Sequence, residues 1–139
     1  MKKPTIKKLK TISPKTLWIH SAWPADVQVA FVPNEQEWYR TLKKNYNITD
    51  EPYPQSDAQV TSLSKGKEVH CLVTITDTQP SLEQVVGLLS HEATHCYQKV
   101  RDWMKEKEPS IEFEAYTVGH ITQSLLSLYI KARGVPKIA

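Results

Sequence analysis

The chain has 139 residues, 40% of them apolar and 24% charged, with a net charge of +3. That length suits one domain, and that balance suits a globular fold rather than a disordered one. Its longest apolar runs fall far short of the roughly 18 residues that span a membrane, and two cysteines are too few for a disulfide scaffold.

Residues 1–14 carry five lysines in the first ten positions and prolines at Pro4 and Pro14. They read as a basic arm, able to meet nucleic acid or an acidic surface through charge alone. Lys2 and Lys3 are not followed by an apolar stretch, so no signal peptide is expected, and Cys71 and Cys96 read as free thiols of a cytoplasmic protein. Residues 15–139 read as a single domain.

Thr16 to His20 and Val27 to Val32 are β-prone and flank a loop containing Trp23 and Pro24. Asn34 with Glu37 resembles a capping box and starts a short helix reaching about Asn45. Ala58 to Leu63 and Glu68 to Thr76 read as strands around a turn at Gly66, the second being the strongest β signal in the chain. Ser81 with Gln84 forms another capping box, after which Val85, Leu88, Leu89, Ala93, Cys96, Val100 and Trp103 recur at helical spacing. Beyond Pro109, Ile111, Ala115, Val118, Thr122, Leu125 and Tyr129 trace a second long helix that stops at Gly134. The order predicts an α+β domain, a small, mostly antiparallel sheet packed on two long C-terminal helices. Trp18, Trp23, Trp38 and Trp103 are expected in the core, with an exposed Trp23 as an alternative substrate contact.

The first long helix contains His91-Glu92-Ala93-Thr94-His95, the pattern HExxH. Residues four apart share a helix face, so both imidazoles reach one Zn²⁺. Glu92 flanks the ion and can take a proton from its water. With 5 His and 10 Glu in the chain, an accidental match is expected at roughly the 1% level. Cys96 follows His95 directly and points about 100° away, so it reads as a buried thiol rather than a ligand.

Candidates for a third ligand lie on the second long helix, at Glu112, Glu114 and His120. With a straight first helix and a tight turn, His95 would lie about 13 Å below the turn, which favours His120. Glu112 and His120 are about 12 Å apart along the axis and cannot both ligate one ion.

The run HEATH followed by EFEAY resembles the gluzincins, in which a downstream helical glutamate completes the metal site, and resembles small metallopeptidases of phages and prophages more closely. It covers roughly residues 85–130. The resemblance implies a minimal zincin-like domain with Zn²⁺ held by His91, His95 and Glu112. Glu92 would be the general base, and Tyr116 or His120 would stabilise the oxyanion. It also implies a protein or peptide substrate, met in a bacterial cytoplasm. In zincins an edge strand beside the site pairs with the substrate, and Val69 to Thr76 is the expected strand. Two alternatives belong to other classes. One is an inactive zinc-binding interaction or inhibitor module. The other is a SprT-like DNA-associated protease that uses three histidines.

Overall fold

The computed structural model describes residues 15–21, 23–76, 78 and 80–139. The expected basic arm lies outside them. Four strands and three helices follow in the order β1 (Leu17–Trp18), β2 (Val27–Phe31), α1 (Glu35–Tyr46), β3 (Ala58–Lys65), β4 (Glu68–Ile75), α2 (Leu82–Met104) and α3 (Ile111–Arg133). The architecture is α+β with a small mixed sheet. Its strand order is β1-β2-β4-β3, with β2 and β4 parallel and the other two pairings antiparallel.

Helix α1 covers one face of the sheet, and α2 with α3 covers the other. Val27, Val29, Phe31, Cys71, Val73 and Ile75 point into the core under α2 and α3. Their neighbours Ala30, Val32 and Leu72 pack with Trp38, Leu42 and Tyr53 on the α1 side. Burial on both faces is why β4 reads as a continuous apolar run. In the two-residue loop between β3 and β4, Gly66 has φ 62, a region open to glycine without a Cβ clash.

The helix ends follow the capping signals. Asn34 accepts from the Glu37 N–H at the start of α1, and Ser81 and Gln84 close a full capping box on α2. Ser110 caps α3, and Gly134 ends it.

Three expectations are corrected. The strand beside α2 at the sheet margin is β3, not the Val69–Thr76 segment, because β4 is held between β2 and β3. Trp18 and Trp103 are 39% and 40% exposed, so only Trp23 and Trp38 join the core. Trp23 is no exposed substrate contact either, since it is 7% exposed and its indole N–H donates to the Val27 carbonyl.

Candidate metal centre

Helix α2 runs without interruption from its capping box to Met104 and presents three faces at mid-length. Leu89, Ala93, Cys96 and Val100 are buried against the sheet. Tyr97 turns toward α3, where its ring meets Phe113. His91 and His95 point to solvent one turn apart. Their Nε2 atoms are 3.2 Å apart. Two imidazoles on a tetrahedral zinc, with Zn–N of about 2.0–2.1 Å, place their nitrogens ~3.3 Å apart. The pair therefore stands at the spacing that one zinc ion requires.

His95 Nδ1 lies 3.0 Å from Gln98 Oε1. Because an amide oxygen only accepts, this contact suits the Nδ1–H tautomer of His95, whose Nε2 then turns its lone pair toward His91 Nε2. Gln98 was not singled out in the sequence, although its place three residues after His95 puts it on the same face.

Glu92 is one residue and about 100° on from His91, which turns it inward. It is 5% exposed, and the Val60 N–H of β3 lies beside its carboxyl. Burial raises the pKa of this carboxyl above the ordinary carboxylate value, and His91, His95 and the Val60 N–H offset only part of that rise. The result is a buried carboxylate beside the two imidazoles, which suits proton transfer.

A groove of about 500 Å³ runs between α2 and β3. His91, Glu92, His95, Gln98 and Lys99 form one wall, and Ser56, Ala58, Gln59, Val60 and Ser62 form the other. Strand β3 is a sheet edge here. The Thr76 N–H donates to the Asp57 carbonyl, and the register continues unbroken to Lys65. In an antiparallel ladder, bonded positions alternate. The odd-numbered residues of β3 therefore bond to β4, and Ala58, Val60, Ser62 and Ser64 turn their backbone groups to the free edge.

The other candidate residues lie elsewhere. Glu112 stands nine residues, two and a half turns, before the buried Ile121, so it occupies the opposite face of α3. There it shares a hollow with Ala115, Tyr116, Gly119, His120 and Gln123. Tyr116 is 76% exposed. His120 Nε2 lies 3.0 Å from the His20 carbonyl, with its ring against Trp23. Glu114 lies near Tyr97, where burial and then the Glu114 charge raise the phenol pKa. Among the described residues no three His, Cys, Asp or Glu side chains converge where they could hold a metal ion. The pair His91 and His95 fits zinc, and the structure does not bring Glu112, Glu114 or His120 to it.

Cys96 is fully buried on the core side of α2 and hydrogen-bonds with Cys71, which together with burial holds its thiol well above the ordinary range. It is a packed neutral thiol, as its phase on the helix predicts.

Comparison with known protein families, curated proteins and solved structures finds no match. No helix among the described residues is long and apolar enough to cross a membrane.

Proposed function

We propose that this chain is a zinc-dependent peptidase built on a minimal zincin-like domain. The observation that carries the reading is one groove with HExxH on one wall and an open strand edge on the other. His91 and His95 would hold the ion through Nε2. Zinc, when bound, lowers the pKa of a coordinated water and polarises a carbonyl.

The chain's own residues then divide the work. The outward backbone groups of β3 pair with an extended peptide and fix its register. An extended peptide antiparallel to β3 would pair with the free backbone groups of Ala58 and Ser62, and between them would pass Glu92, which lies at Val60. Glu92 would accept a proton from the attacking water and pass it to the leaving amine. Gln98 would keep His95 in the tautomer that ligates.

The absence of a convergent third donor among the described residues favours a second reading, a metal-binding interaction module without hydrolysis. Metal content tests the shared premise. Protein purified without a histidine tag is expected to carry about one zinc per chain by mass spectrometry. His91→Ala should lose it. Because Glu112 lies on the outer face of α3, Glu112→Ala should keep it. Folded protein that takes up no zinc would overturn both readings, and loss of zinc in Glu112→Ala would show that α3 rearranges to complete the site.

The strand edge has its own test. Ala58 is the first residue of β3 and its N–H faces outward, so proline is tolerated there. Ala58→Pro is expected to raise KM for a peptide about fivefold, the loss of roughly 1 kcal/mol of hydrogen bonding, with kcat little changed. An unchanged KM would remove β3 from substrate binding.

A further inference from the structure

The groove carries one charge that neither the metal reading nor the fold uses. Glu92 is taken up by the Val60 N–H and the two imidazoles. Lys99, one turn beyond His95, is exposed and lines the groove. The salt bridges of the described residues are Glu37 with Arg40 and Glu68 with His70, and neither involves Lys99.

Its place along the groove follows from the register. Lys99 lies about 10 Å beyond Glu92 along α2 and lines the groove with Ser62, the last β3 residue in it. Glu92 meets Val60, two residues earlier on β3. The α2 wall therefore runs in the same direction as β3, with Lys99 level with Ser62. A peptide antiparallel to β3 reaches Ser62 before Val60. A side chain beside Lys99 then sits about two residues N-terminal to the carbonyl under attack.

We infer that Lys99 is a specificity residue and that the groove selects extended peptides with an acidic side chain beside Ser62. The groove's other lining side chains are neutral or imidazole, so a basic peptide side chain finds no carboxylate there except Glu92, which is buried. This rests on the reading of the groove as a peptide site, but not on hydrolysis.

Peptides of alternating sequence present one side chain at every second position, which makes the test independent of register. Fluorescein-labelled (Thr-Glu)5, (Thr-Gln)5 and (Thr-Lys)5 would be titrated into zinc-loaded full-length protein, read by fluorescence polarisation at low salt. The Glu peptide is expected to bind about fivefold to tenfold more tightly than the Gln peptide, with the preference shrinking as salt rises. Lys99→Gln should abolish the preference, and Lys99→Glu should transfer it to the Lys peptide. Lys43→Gln, on α1 across the sheet, should leave it intact and so separates Lys99 from the overall charge. Equal binding of Glu and Gln peptides, a preference that survives in Lys99→Gln, or no binding of any peptide would each overturn the inference. A Glu preference in a protein that hydrolyses nothing would sink the peptidase reading and leave Lys99 standing.

Discussion

Glu92→Gln is expected to lower peptide hydrolysis by about 10²–10⁴-fold, the ordinary contribution of a general base, while zinc content stays at the wild-type level. The substitution keeps the shape of the side chain and an oxygen that can accept from the Val60 N–H. What it removes is the ability to take a proton. Glu92 is also not placed as a ligand, since its helix phase turns it inward while the two imidazoles point out. Metal and chemistry should therefore separate. Hydrolysis within tenfold of wild type would show that another group moves the proton. In a metal-binding module without hydrolysis, the same variant would leave partner binding untouched, so one substitution distinguishes the two readings.

Much of the fold was legible because its signals are local. The Asn34 and Ser81 caps marked helix starts, and Gly134 marked an end, from side chains within three residues of the boundary they set. The strand β4 was legible as a strand from its apolar run, but its place in the sheet was not. Its parallel partner β2 lies some 40 residues earlier, and no local pattern encodes that pairing. A usable signal existed in the contrast between the two strands. Gln59, Thr61, Ser62 and Ser64 make β3 polar, which suits an edge, whereas a strand buried on both faces reads as β4 does.

The helix that carries HExxH was legible for the same local reason, since i, i+4 spacing on a capped helix fixes the relation of His91 to His95. The third ligand depends on the rotation of α3 about its own axis. The stripe read from Ile111, Ala115, Val118, Thr122 and Leu125 is rotated by about 60° from the buried stripe, which passes through Thr117, Ile121, Leu125 and Tyr129. Thr117 is polar yet buried, and Ile111 is apolar yet 81% exposed, so hydropathy pointed to the wrong edge of the stripe. That rotation carries Glu112 still further from α2.

Arg133→Met is expected to cost about 3 kcal/mol and to lower Tm by about 10 °C, while leaving the groove and its metal intact. Arg133 ends α3 and reaches under the sheet. Its guanidinium donates to the Pro33 carbonyl at 2.8 Å, to Ile75 at 2.9 Å and to Thr76 at 3.0 Å. These carbonyls lie just beyond or at the C-terminal ends of the parallel pair β2 and β4. The same cation stacks over Phe31 and Tyr129. Methionine retains the apolar stem but removes every donor, leaving part-buried carbonyls without the charged partner. Lysine restores a charge but not the planar fork that reaches several carbonyls at once, so Arg133→Lys should recover only part of the loss. The clamp sits at the end of α3 remote from the α2–α3 connection, whereas His91 and His95 are held by α2 alone. A melting temperature within about 2 °C of wild type for Arg133→Met would mean that water replaces the guanidinium at these carbonyls. A fall in zinc content at a temperature where the variant remains folded would show that the clamp and the metal helix are coupled.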